Sequence, residues 1–240
     1  MIEFKLGVRG DPDLPDRNRD AWCGQIDRMT RRDGTSPEAR ASARPGEGPA
    51  GPSFACDGVT AGSTEAMVCE DEELSALDRE LAEAYVAASE VAVDEHPPLL
   101  TAEQRGWIKG RNECWKSEAP RTCIRDAYVH RLAELQARYR LVPSTGPIFF
   151  ACGDAPGSEV VATFFRTAPP TMIAERGDSV SLMYLQPSAS GSRYQGRNES
   201  FWEHQGEASI TWGHGAPQMR CRRNPEGAAG TAAEKRGTGP

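Results

Sequence analysis

Two periodicities divide the chain. Over residues 70–93 the apolar positions Leu74, Leu77, Leu81, Tyr85 and Ala88 recur at helical spacing and form one stripe. Glu70, Asp71, Glu72 and Glu73 crowd the first turn, where the helix dipole favours negative charge, and Pro97-Pro98 closes the segment. A second helix is expected from Thr101 as N-cap to about Ser117, presenting Trp107, Ile108, Arg111, Cys114 and Trp115, with Pro120 breaking it. A third, over residues 122–139, carries Ile124, Tyr128, Leu132, Leu135 and Tyr139 on one side. Three such helices predict a small bundle.

Beyond a linker at residues 143–147 the pattern shortens. Runs rich in β-branched and aromatic residues stand at 148–153, 159–166, 172–175, 180–185, 200–203, 208–212 and 218–222. Turn residues separate them, as in Asp154-Ala155-Pro156-Gly157, Arg176-Gly177-Asp178 and Gly213-His214-Gly215. Seven or eight short strands predict a small antiparallel β-barrel. The expected fold class is therefore α+β in two domains: a disulfide-linked three-helix bundle (53–142), then the barrel (148–223). Residues 1–52 and 224–240 have no hydrophobic period and read as disordered.

Composition supports this division. The hydrophobic fraction is 38%, and 24 Gly and 18 Pro gather towards the two ends, so the cores in between are small. The net charge of −7 is uneven: residues 53–142 hold seventeen acids against ten bases, while residues 148–223 hold seven of each. That balance argues against a nucleic-acid partner, which requires a basic face. No apolar run approaches membrane-span length.

Of seven cysteines, Cys56, Cys69, Cys114 and Cys123 fall in the helical segment, and Cys152 and Cys221 stand in the first and last strands of the barrel. Even numbers per segment point to disulfides and an oxidising compartment. Cys152 and Cys221 are placed to join the barrel's ends; the pairing in the helical segment is left open. Cys23 is left over. No hydrophobic signal core stands in residues 1–52, but the cysteines outweigh that, and the expected location is the periplasm, cell envelope or exterior. A lipid anchor, not visible in this sequence, is the membrane link left open.

Two resemblances sharpen the reading. Phe54-Ala55-Cys56, Thr64-Glu65, Cys69, Glu73-Leu74-Ser75-Ala76-Leu77-Asp78-Arg79-Glu80-Leu81, Gln104-Arg105-Gly106-Trp107, Arg111-Asn112-Glu113-Cys114, Cys123, Tyr128 and Arg131-Leu132 together resemble the N-terminal domain of the LprI lysozyme-inhibitor family. Apart from the acidic turn, these residues are read as bundle-building. In the barrel segment, Cys152, Cys221, Ser188-Ala189-Ser190-Gly191-Ser192-Arg193-Tyr194 and Phe201-Trp202-Glu203-His204-Gln205-Gly206-Glu207-Ala208 resemble the membrane-bound or periplasmic inhibitors of c-type lysozyme. There a loop serine and a lysine enter the lysozyme cleft and bond its catalytic carboxylates. The resemblance implies those roles for Ser190, with Ser188 as fallback, and for position 204, with Gly191, Arg193 and Tyr194 completing the loop.

Position 204 is histidine, not lysine. A lysine is permanently cationic on a flexible stem, whereas a histidine is shorter and titrates near neutrality. Arg193 or Arg197 is an alternative source of the missing cation. The chemistry stands on general grounds too: lysozyme works with an acid and a carboxylate flanking the scissile bond, and a hydroxyl and a cationic N–H inserted between them block substrate. The partner implied is c-type lysozyme, bound non-covalently and without a cofactor.

Other chemistry is weaker. His96, His130 and His214 have no metal-ligand spacing, and Ser190 lacks a Gly-x-Ser-x-Gly elbow. Asp71 and Glu73 read as solvated acids at a helix start. Trp107, Trp115, Trp202 and Trp212 fit alternating burial at least as well as sugar stacking. No catalytic or metal site is expected. The competing reading is an envelope module that binds a glycan or a protein without inhibiting an enzyme.

Overall fold

The computed structural model describes residues 51–95, 98–153 and 158–224. The segments expected to be disordered, together with Cys23 and His96, lie outside those residues apart from 51, 52 and 224. Four α-helices precede the strands among the described residues: α1 (Thr64–Glu70), α2 (Glu72–Val91), α3 (Leu99–Asn112), extended by a 3-10 turn at Glu113–Lys116, and α4 (Pro120–Arg138). The bundle thus has one helix more than expected, the short α1.

Local chemistry sets these boundaries. Ser63 caps α1, its side chain accepting from the Ala66 N–H at 3.1 Å. Asp71 ends α1 and caps α2, its Oδ1 accepting from the Leu74 N–H at 3.0 Å. The cap expected at Thr101 is not used, and α3 starts three residues earlier, at Leu99 with Pro98 in the cap position. Glu95 takes that role from a distance, its Oε2 accepting from the Leu100 N–H at 3.1 Å. Pro120 does not break a helix but opens α4 at its first turn, where a missing N–H costs nothing. The stripe on α2 packs inward as expected, with Leu74, Leu81, Tyr85 and Ala88 all buried. Trp115, expected on the packed side of α3, is 63% exposed because the 3-10 turn rotates it outward.

The eight strands close a barrel in sequence order: β1 (Ser144–Ala151), β2 (Glu159–Phe165), β3 (Thr171–Arg176), β4 (Ser179–Gln186), β5 (Ser192–Gln195), β6 (Glu199–His204), β7 (Glu207–Trp212) and β8 (Gln218–Asn224). All neighbours are antiparallel, and β1 meets β8 with Ala151 opposite Arg222. Residues 144–147, read as linker, are strand from Ser144 onward. Strand β5 escaped the sequence reading because it is four residues long and only Tyr194 is buried.

Phe150, Val160, Ala162, Met172, Met183, Phe201 and Ile210 fill the interior. Three disulfides brace the two domains: Cys56–Cys69, Cys114–Cys123 and, joining the barrel's ends, Cys152–Cys221. The helices dock on the β2–β4 wall, where Ala137 of α4 packs with Phe165 and Ile173. The Tyr184 hydroxyl donates to the His130 carbonyl at 3.2 Å, and burial pushes its phenol up to about 12. Among the described residues no helix is long and apolar enough to cross a membrane.

Candidate functional site

Because partners across antiparallel strands share a face, the register fixes what the outer wall of β6, β7 and β8 displays. One row reads Arg193, Trp202, Ser209, Arg220; the next reads His204, Glu207, Arg222, Ala151. The alternate positions Tyr194, Phe201, Ala208, Ile210 and Cys221 face the core. Small Ser209 between the larger Trp202 and Arg220 leaves a groove. That groove is a cleft of about 800 Å³ whose lining includes Ser190, Trp202, His204, Glu207, Arg220 and Arg222.

The loop between β4 and β5 is seated against this wall. The Trp202 indole N–H donates to the Ser190 carbonyl at 3.0 Å, and the Ser188 hydroxyl donates to the same carbonyl at 2.7 Å. Ser188 is thereby a brace within the loop, while the Ser190 hydroxyl has no partner among the described residues. Gly191 has φ +66°, and a Cβ there would lie 2.2 Å from the Glu203 carbonyl oxygen. Only glycine lets the loop cross so close to β6.

The β6–β7 hairpin supplies the other side. Gln205 and Gly206 have φ +54° and +84°, the left-handed pair of a two-residue turn. The Gly206 N–H donates to Glu203 Oε1 at 2.9 Å, and the Gly206 carbonyl accepts from the Arg223 N–H at 2.8 Å. His204 is thus held at a fixed strand end, opposite Glu207. Glu207 also pairs with Arg222, Oε1 to Nε 3.4 Å.

The structure therefore brings Ser190 and His204 to one cleft, with Gly191 outside its lining and close against Glu203 and His204. It does not bring Tyr194 there. That residue is 7% exposed, and its ring lies 5.5 Å from Phe164 inside the barrel; burial raises its phenol above the ordinary value of 10.0. Arg193 is exposed beside Trp202, outside the cleft lining. Arg197 lines a different cavity, with Glu199 and Ser181, at the other end of β5 and β6. Sequence reasoning missed Arg220 and Arg222, since exposed arginines on a strand carry no signal until the register is known.

Four residues of the helical sequence pattern, Glu65, Asp78, Arg111 and Tyr128, meet in the bundle's interior. Arg111, its side chain fully buried, donates to Glu65 at 3.0 Å and to the Tyr128 hydroxyl at 2.6 Å. Tyr128 donates onward to Asp78 at 2.8 Å, and the other Asp78 oxygen accepts from the Ser53 N–H and hydroxyl. Burial holds the Tyr128 phenol well above its usual range, so it stays a donor. The acidic turn is partly neutralised: Arg121 bridges Asp71 and Glu73, both at 2.6 Å. Among the described residues no three His, Cys, Asp or Glu gather as a metal site.

Comparison with known proteins accords with both halves. The family model for "Lysozyme inhibitor LprI" matches residues 56–138, and that for "Membrane-bound lysozyme-inhibitor of c-type lysozyme" matches residues 150–219. Lipoprotein LprI of Mycobacterium tuberculosis is 31% identical over 157 residues, covering 65% of this chain and 77% of the relative. The chain belongs to the LprI family. The Mycobacterium bovis Lipoprotein LprI aligns with the same figures. No solved structure matches. In this LprI-family chain the inhibitor-type barrel comes second, and its cleft-bearing wall is β6–β8, across the barrel from the wall that α4 covers.

Proposed function

We propose that the protein is a non-covalent inhibitor of c-type lysozyme, acting where an oxidising environment preserves its disulfides, at the cell envelope or outside it. The loop at residues 188–191 and the β6–β7 hairpin enter the enzyme's cleft and occupy its two catalytic carboxyl groups. The observation that carries this reading is the convergence of Ser190 and His204 on one exposed cleft, at the positions the inhibitor pattern assigns to a hydroxyl donor and a cation. Among the described residues the Ser190 hydroxyl has no partner to give up, so it donates outward without breaking a bond within the loop. The loop is preorganised by the Trp202 and Ser188 bonds, which spares the ordering entropy that a floppy plug loses on binding.

The helical domain supports the barrel from the opposite wall, and its patterned residues act by holding the bundle together. Purified protein with intact disulfides is expected to slow lysis of a peptidoglycan substrate by c-type lysozyme, stoichiometrically and in competition with substrate. Unchanged lysis rates at micromolar protein would refute the proposal. An exposed Trp202, 45% accessible beside the cleft, favours glycan binding as the second reading; direct binding of peptidoglycan fragments with no effect on lysozyme would establish it instead.

A further inference from the structure

Lysine is absent from position 204, and the cleft's outer-face register shows where a permanent cation stands. We infer that Arg220 of β8 supplies the fixed positive charge that faces the lysozyme carboxylates, with His204 as a secondary donor. This rests on the inhibitor reading above and names the residue that sets its electrostatics.

Three candidates compete, and the geometry separates them. Arg222 lines the cleft, but Glu207 sits 3.4 Å away and offsets its charge. His204 stands opposite the same Glu207, so the acid lies between them in one cross-strand row. Arg220 stands in the neighbouring row, whose other members are Ser209, Trp202 and Arg193. No carboxylate pairs with Arg220 among the described residues. Its charge is therefore available to a partner, and Ser209 leaves the groove open between Arg220 and Trp202.

Reach also favours it. Arg220 and His204 stand two strands and one row apart, roughly 12 Å, and the long arginine side chain covers about half of that gap while the imidazole does not. With Arg220 and Arg222 against Glu207, the cleft is net positive even with His204 neutral, which complements a site built of two carboxyl groups. Arginine adds planar, two-pronged donation to carboxylate, which a lysine lacks.

The test is the inhibition constant against c-type lysozyme for the full chain and four variants. Arg220→Gln is expected to weaken inhibition roughly tenfold to hundredfold, the range of a charge-assisted hydrogen bond. Its remaining inhibition should depend less steeply on salt than the wild type's. Arg220→Lys should recover most of the loss, while His204→Gln and Arg193→Gln should change the constant less than Arg220→Gln does. The Arg220 side chain is exposed and has no side-chain partner among the described residues, so melting temperatures should match the wild type. Wild-type-like inhibition by Arg220→Gln, with the loss appearing in His204→Gln or Arg193→Gln, overturns the assignment and leaves the inhibitor reading standing. A wild type that does not inhibit at all overturns both, and that result is read before any variant is compared.

Discussion

At the scale of single residues, the loop's chemistry divides between a donor, a brace and a hinge. Ser190 presents its hydroxyl, Ser188 and Trp202 hold the Ser190 carbonyl, and Gly191 permits the close crossing over Glu203. Ser190→Ala is expected to weaken inhibition by roughly tenfold without lowering the melting temperature, since one exposed hydrogen-bond donor is lost. Gly191→Ala should do more. Its methyl group would collide with backbone and sit at positive φ, so the loop must shift; strain of about 1–2 kcal/mol and a larger loss of inhibition are both expected, read by calorimetry and by the lysis assay. The sequence named Ser190 and Gly191 through a local motif. The brace and the arginines were hidden because they depend on cross-strand register, which no local pattern records.

Elements repeat this lesson. The strand runs were legible wherever alternation lasted, and β5 was not, because four residues with a single apolar side chain, Tyr194, give no period. The start of α3 was misplaced because a carboxylate five residues before Leu100, Glu95, does the work a local Thr101 cap was expected to do. In the helical domain, the pattern residues Glu65, Asp78, Arg111 and Tyr128 join in a buried network. Arg111→Ala would take the guanidinium from the buried Glu65 carboxylate and the donor from the Tyr128 hydroxyl, and a loss of about 3–5 kcal/mol of stability is expected in denaturant unfolding.

At the α1–α2 junction, Arg121 first, then the Leu74 N–H, hold the Asp71 carboxyl below its ordinary value of 3.8. A carboxyl with a lowered folded-state pKa stabilises the fold fully above its unfolded value and loses that contribution as pH falls through the folded one. Wild-type melting temperature should therefore fall more steeply than that of Asp71→Asn as pH drops from about 5 to about 2.

For the whole molecule, the two domains are not beads on a flexible tether. Ala137, Phe165 and Ile173 form a shared apolar contact, and strand β1 begins only six residues after α4 ends. The helices cover the β2–β4 wall and leave the β6–β8 wall free, so any second partner of the helical domain approaches from another side. The Cys152–Cys221 bridge spans 69 residues of sequence and ties β8 to the end of β1, directly under the row bearing Arg222. Replacing both cysteines by alanine is expected to cost about 4 kcal/mol through the freed unfolded chain, lowering the melting temperature and weakening inhibition together.

In the proposed complex, lysozyme meets the β6–β8 wall and its loop. Amide hydrogen exchange on the complex with c-type lysozyme tests it most directly. Protection is expected to rise at residues 188–192 and 202–209 and to stay unchanged over α1–α4. Protection confined to the helices, with the loop and hairpin exchanging as in the free protein, would place lysozyme on the helical domain and refute the proposed contact.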